Sequence, residues 1–326
     1  VSIPENPQRI AAMDSFSGDV CVMVGAGSQM LGAPGGVLSN ELLMRLYPDL
    51  PNLSRLSGNK VNMEALLDDG IDVALVKGGL YASGSDTDMF DKFGIPFVVI
   101  EYETVEEQMA AIKLIGEVCG GEARQRADAL ADYYQDTVDM VEQRAVQIAD
   151  DERVKVFHSI NDPLLTDGAG SLGDDWITRT GCIDVSGGST SISGQGDFDA
   201  TLEEVFKWDP DVIICNSTNA VELINGNSQW AGLGAVAAGE VYNLPVSMSR
   251  WGQRGDPETF LAMLWLGKTM YPQLYEDIDL KETVQAYYRD VIGLEVDDDL
   301  WETILAGEGI RSMGTGGESG TGNGGQ

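Results

Sequence analysis

Thr201-Leu202-Glu203-Glu204-Val205-Phe206-Lys207-Trp208-Asp209-Pro210-Asp211-Val212-Ile213-Ile214 repeats, in the second half of the chain, a pattern already present at Asn62-Met63-Glu64-Ala65-Leu66-Leu67-Asp68-Asp69-Gly70-Ile71-Asp72-Val73-Ala74-Leu75. Each stretch has a helix-capping residue, a two-turn helix, a turn residue, an aspartate and then an apolar run suited to a buried strand. A helix feeding directly into a buried strand is half of a β-α-β unit. Two such units, well separated, predict two parallel sheets covered by helices.

The flanking sequence extends both halves. In the first, strands are expected at Arg9–Met13, Leu31–Ala33, Asp72–Val76 and Ile95–Ile100. Helices are expected at Asp19–Ala26, Asn62–Leu67, Phe90–Phe93 and Thr104–Val118, with Pro34-Gly35-Gly36 as a turn. In the second, strands are expected at Val154–His158, Asp211–Cys215 and Val241–Leu244. Helices are expected at Asp174–Arg179, Leu202–Trp208, Leu233–Ala238, Pro257–Leu274, Leu280–Ile292 and Asp298–Ala306. Between the halves runs the longest periodic segment, Glu122–Ala149. Its apolar positions Ala123, Ala127, Leu130, Tyr134, Val138, Val141, Ala145 and Ile148 advance by steps of three and four, the mark of one helical face. It reads either as a plain core helix or as a rigid spine between lobes. The expected fold class is therefore α/β, with two Rossmann-like lobes of parallel sheet joined by one long rigid α-helix. The expected boundaries are residues 1–119, 120–150 for the linking helix, 151–312, and a flexible Gly/Ser/Thr-rich tail at 313–326.

The 326 residues are ample for two cores. Hydrophobic residues make up 43% and mean hydropathy is −0.10, values of an ordinary soluble protein. With 53 acidic against 20 basic residues, the net charge is −33. Such a surface disfavours nucleic acid and anionic membranes and suits a cationic partner surface. It equally suits a protein kept soluble by charge alone. No apolar stretch is long enough to span a bilayer, and Val1-Ser2-Ile3-Pro4 does not begin a secretory leader, so a mature form is expected. The four cysteines, Cys21, Cys119, Cys182 and Cys215, lack metal-ligand spacing and support no particular disulfide. Gly25-Ala26-Gly27 lacks the third glycine of a dinucleotide fingerprint, since Met30 stands there. No Gly-x-Ser-x-Gly elbow occurs, so hydrolase chemistry of that type has no motif.

Together these motifs resemble the class III periplasmic binding proteins that serve iron-siderophore, haem and cobalamin importers. The likeness rests on Asn6-Pro7-Gln8-Arg9-Ile10, the Asn-x-Glu of Asn62–Glu64 with its following aspartate and strand, Gly94-Ile95-Pro96, the linking helix, and Trp208-Asp209-Pro210-Asp211-Val212-Ile213. It runs from Asn6 to about residue 310. The resemblance implies an extracytoplasmic protein, periplasmic or lipid-anchored, that is monomeric, is not an enzyme, and carries no cofactor or resident metal. It would capture an iron complex of siderophore, haem or corrinoid type and deliver it to an ABC permease driven by a cytoplasmic ATPase. One glutamate on each lobe would dock on permease arginines, and position by position these fall on Glu64 and Glu203. Both also read as first-turn glutamates that favour the helix dipole. A smaller branch of the family takes molybdate or tungstate, the alternative ligand. A metallocluster enzyme is the alternative class.

In doubly wound sheets, ligands meet the loops at the carboxyl ends of strands. That places Ser15, Phe16, Ser17, Pro34, Lys77 and Tyr81 at the site from the first lobe, and His158, Asp162, Thr166, Asn216, Arg250, Trp251 and Arg254 from the second. Lys77 is either a ligand contact or a solvated rim lysine. Arg250, Trp251 and Arg254 concentrate positive charge and an aromatic ring in a protein poor in bases, a combination suited to a flat anionic chelate. Trp251 equally reads as a core residue under its loop. Lys77, Arg250 and Arg254 would also suit an oxyanion. His158, the single histidine, reads more readily as a core or rim residue than as a metal ligand.

Overall fold

The computed structural model describes residues 3–56, 62–78, 87–189 and 197–308. Among these, the first half builds a parallel sheet from β1 (Ile10–Ala12), β2 (Met30–Ala33), β3 (Ser54–Arg55), β4 (Val73–Lys77) and β5 (Phe97–Ile100), in the order β3-β2-β1-β4-β5. The second half builds another from β6 (Lys155–Ser159), β8 (Ile183–Asp184), β10 (Val212–Cys215) and β11 (Val241–Asn243), in the order β11-β10-β6-β8. A small antiparallel pair, β7 (Leu165–Asp167) with β9 (Asp197–Asp199), lies outside the expected pattern. The α/β class with two lobes is thus as expected.

The repeated stretch works the same way in both lobes. Asn62 caps its helix by accepting the Ala65 N–H at 3.1 Å. Thr201 does so within a full capping box, its side chain and that of Glu204 each satisfying the other's backbone. The chain then turns through a left-handed residue, Gly70 at φ 69° in one lobe and Asp209 at φ 51° in the other. Each repeated aspartate next pins the start of a central strand. Asp72 Oδ2 accepts the Gln8 and Arg9 N–H groups ahead of β1, at 2.7 and 3.1 Å. Asp211 Oδ2 accepts the Lys155 N–H at the start of β6, at 2.8 Å. Orphan donors at the sheet's edge are thereby satisfied, and the helix-strand unit is locked to its neighbour.

The linking helix spans Gly121–Ala145, 25 residues, or about 37 Å at about 1.5 Å per residue. It stops four residues short of the expected end. Ala123, Ala127, Leu130, Tyr134, Val138 and Val141 are buried on it as the periodicity requires. It packs against the Val105–Cys119 helix, reached through a turn at Gly120 and Gly121. At Gly116 a Cβ would sit 2.3 Å from the Ala127 Cβ, so glycine is needed for the two helices to touch. The helix reaches the second lobe through Tyr134, whose ring lies 4.8 Å from that of Phe260. Arg179 ties three helices by pairing with Asp175, Glu142 and Glu106 at 3.0, 2.7 and 2.6 Å. A single apolar cluster, running from Ile10 to Ile304, continues through both lobes.

Some expectations are corrected. Pro34-Gly35-Gly36 is not a free turn: Pro34 precedes a short helix, Gly35–Leu38. The first helix is Ser15–Met23, earlier than expected, because Asp14 caps it and Gly25 ends it at φ 83°. Pro257 lies outside the Thr259–Met270 helix, whose cap is the buried Glu258. Helices at Glu41–Leu46 and Thr218–Gly226 had no counterpart in the sequence reading. The expected tail at 313–326 lies outside the described residues.

Candidate functional site

The strand order of each sheet reverses beside its central strand, and the crevice there opens at the carboxyl ends. In the first lobe this point lies between β1 and β4, which leads to Asp14 and Lys77. Asp14 accepts the Ser17 N–H at 3.0 Å and the Ser17 hydroxyl at 2.7 Å. Burial pushes its carboxyl above the usual carboxylate range, while the Ser17 hydrogen bonds and the positive charge of Lys77 pull the other way. Ser15 and Lys77 are exposed at this edge, and Pro34 is partly exposed beside it. Phe16 is buried, its ring 4.5 Å from that of Tyr102, so it supports the edge from behind. Tyr81 lies outside the described residues.

In the second lobe, His158 on β6 and Asn216 just beyond β10 are brought side by side by the pairing of Ile214 with His158. His158 is 1% exposed. Its Nδ1 meets the Asp167 carboxylate, and its Nε2 lies 2.8 Å from Asn216 Oδ1. Burial alone would lower the imidazole pKa. The Asp167 charge and hydrogen bond, with Asn216, outweigh it and raise the value. With both ring nitrogens engaged, His158 braces the wall and has no nitrogen to offer a metal. Asn216 is buried in the same brace. Thr166 is fully buried and exchanges a hydrogen bond with Ser186 at 3.0 Å. Asp162 is exposed at the rim.

Asp184 lies deeper in this wall. Its Oδ1 accepts the N–H and hydroxyl of Ser186 at 3.0 and 2.7 Å, and its Oδ2 is buried without a hydrogen-bond partner among the described residues. Burial, reinforced by the charges of Asp167 and Asp174 against the Ser186 bonds, pushes its pKa to about 7. Among the described residues, no group of three or more His, Cys, Asp or Glu side chains could hold a metal ion.

The loop after β11 carries the expected basic cluster, and the structure separates its members. Trp251 is fully buried, and its indole N–H donates to Ser247 Oγ at 2.7 Å. It is a core residue with no surface to give a ligand. Arg250 donates to Asn243 Oδ1 at 3.1 Å and to the carbonyls of Leu244 at 2.8 Å and Gly307 at 3.2 Å. Through these bonds it secures the end of the last helix. Arg254 reaches the other lobe. Its guanidinium pairs with Glu103, just past β5, and its carbonyl accepts the Tyr102 hydroxyl.

The loop is seated by buried carboxylates. Glu258 accepts the hydroxyls of Tyr287 at 3.0 Å, Tyr288 at 2.8 and 2.7 Å and Ser247 at 2.6 Å. Asp256 accepts the Gly252 and Glu258 N–H groups at 2.9 and 3.0 Å. Burial raises the pKa of both acids, and their mutual repulsion adds to the rise at Asp256. The Asp256 carbonyl accepts the Gln108 side chain of the first lobe at 2.8 Å. Glu103, Tyr102, Asp167 and Asp184 were not singled out from the sequence. Only their position just past or within strands could have marked them.

Glu64 and Glu203 are both exposed in the first turns of their helices. Among the described residues, no helix is long and apolar enough to cross a membrane.

Against this geometry, a family model described as periplasmic binding protein matches residues 10–247. Relatives by sequence include the molybdate-binding protein MolA of Haemophilus influenzae, 27% identical over 318 residues, covering 89% of this chain and 87% of MolA. They also include the uncharacterized ABC transporter substrate-binding lipoprotein YvrC of Bacillus subtilis, 21% identical and covering 85% and 84%. Among solved structures, MolA bound to molybdate superposes with a TM-score of 0.80 at 25% identity, covering 91% of this chain and 96% of that one. A periplasmic solute-binding protein of Veillonella parvula superposes at 0.79 and 25% identity, covering 94% and 93%. The chain belongs to the periplasmic binding protein family, in the class III group that serves ABC transporters.

Proposed function

We propose that this chain is the extracytoplasmic substrate-binding component of an ABC importer and that its ligand is a tetrahedral oxyanion, molybdate or tungstate. The observation that carries the ligand assignment is the likeness to the molybdate-binding MolA along nearly the whole chain, in sequence and in structure. The electrostatics of the lobe junction support it. Arg254 is a fixed, permanently charged group there, and a guanidinium pairs well with a compact multi-oxygen anion. It already holds a carboxylate, that of Glu103, whose second oxygen is buried without a hydrogen-bond partner among the described residues. Ser15 and Lys77 supply a hydroxyl and a second positive charge from the first lobe. An iron complex, the ligand class implied by the motifs alone, is the competing outcome of the same test.

The test is a tryptophan-fluorescence titration against molybdate, tungstate, ferric hydroxamate and catecholate siderophores, haem and cobalamin. Saturation by the two oxyanions is expected, and Arg254→Ala should weaken it at least about thirtyfold. Saturation by an iron complex or corrinoid alone assigns the other ligand class. Unchanged oxyanion affinity in the variant removes Arg254 from the site.

Docking follows from the same reading. Glu64 and Glu203, exposed on separate lobes, would meet basic residues of a permease, as the strongly negative surface favours. The double variant Glu64→Ala/Glu203→Ala should bind ligand as before while uptake in reconstituted vesicles falls by on the order of tenfold or more. Normal uptake by the double variant would remove both residues from the interface.

A further inference from the structure

Cys21 and Cys119 are 98 positions apart in sequence, yet their sulfurs lie 3.9 Å apart in the core. Cys21 sits in the Ser15–Met23 helix, and Cys119 is the last residue of the Val105–Cys119 helix. Both are fully buried and both are free thiols here. Cys119 is followed by Gly120 at φ 70°, where the helix has already ended. The backbone carrying one partner is therefore at a helix end, where a small adjustment costs least. A bond needs the sulfurs to close to about 2.05 Å, a movement within reach of side-chain rotation at two neighbouring helices. Cys182 and Cys215 are also buried, but neither has a cysteine neighbour among the described residues.

We propose that Cys21 and Cys119 form a structural disulfide when the protein folds in an oxidising compartment, a placement that rests on the extracytoplasmic reading above. The oxidant is a disulfide, either of a thiol–disulfide oxidoreductase or of oxidised glutathione. One cysteine thiolate attacks that disulfide and expels a thiolate, leaving a mixed disulfide. The second cysteine then attacks the protein sulfur of the mixed disulfide and expels the other thiolate. Two thiol protons pass to the two leaving groups, so two cysteines and one disulfide give one cystine and two thiols. The step belongs to folding rather than to the finished protein. Once packed, the Cys21 thiol is held well above its ordinary pKa by its bond to Cys119 and by burial, so it supplies little thiolate. The cystine would join the first helix of the lobe to the last turn before the linking helix, closing a long loop of chain.

The protein is unfolded, then refolded either with a glutathione redox pair or with a phosphine reductant, and alkylated in denaturant. The oxidised sample should lose two of its four alkylatable thiols and yield one cross-linked peptide containing Cys21 and Cys119. Its unfolding equilibrium constant should fall on the order of a hundredfold relative to the reduced sample. Cys182→Ser should keep the cross-link, and both Cys21→Ala and Cys119→Ala should abolish it. Four free thiols after oxidative refolding, or a cross-link through Cys182 or Cys215, overturns the pair. A cystine on refolding, beside four free thiols in protein isolated from its own cells, leaves the geometry standing and overturns formation in the cell; fractionation of the same cells tests the extracytoplasmic placement separately.

Discussion

Asp184→Asn should make the protein more stable at pH 8 by up to about 4 kcal/mol and change its stability at pH 4 by less than about 1 kcal/mol. The carboxyl has a pKa of about 7 in the folded wall against an ordinary 3.8, because it is buried beside two other carboxylates. Below about pH 3 it is protonated in both folded and unfolded chains, and burial costs nothing extra. As pH rises from there towards 7, the unfolded chain releases the proton while the folded one retains it, so the folded state loses ground. Above 7 the full penalty is present, about 1.4 kcal/mol for each pH unit of separation. Asparagine keeps an oxygen for the two Ser186 donors. It also places an amide where the unpartnered Oδ2 stands. Urea unfolding of both proteins at the two pH values decides it. An equal difference at pH 4 and pH 8 would mean that Asp184 is ionised alike in both states.

Trp251→Ala should cost about 3–5 kcal/mol of folding stability, the range for removing a large aromatic from a packed core. The ring is fully buried, and its N–H is satisfied by Ser247, which in turn donates to Glu258. Truncation therefore leaves both a cavity and a broken chain of hydrogen bonds. Denaturant midpoints give the stability, and titration in native buffer gives the affinity. A variant as stable as its parent but deficient only in binding would put Trp251 back at the ligand.

The contrast between Arg250 and the repeated helix caps explains how much of this protein was legible in its sequence. Asn62 and Thr201 stand at the start of the helices they cap, and capping chemistry acts over a few residues. Their meaning could be read in a short window, and so could the linking helix, whose period is internal to it. Arg250 has near partners in Asn243 and Leu244, but Gly307 is 57 residues away, and the repeated aspartates reach partners as distant, Gln8 from Asp72 and Lys155 from Asp211. His158 meets Asn216 only through strand register, at a separation of 58, and Cys21 meets Cys119 only through helix packing. Residue type marked the basic loop correctly as unusual in so acidic a chain, and it said nothing of which bases would be used internally. The short Thr218–Gly226 helix escaped because only Ala220 and Ile224 are buried on it, too few to display a period.

On the proposed ligand reading, the pairing of Arg254 with Glu103 gives the protein an internal competitor. An anion taking the Glu103-facing side of the guanidinium would displace a tethered carboxylate. Tethering gives that carboxylate a high effective concentration, in the millimolar range for flexible links and higher for a fixed one. Apparent affinity is lowered by the fraction of time the pair is closed. A monovalent ion such as chloride or nitrate gains little from the exchange. A dianion with several oxygens can exceed the carboxylate in charge and in hydrogen bonds. On that reading, an internal counter-ion at the lobe junction would be a filter set by valence, disfavouring simple monovalent anions before shape is consulted.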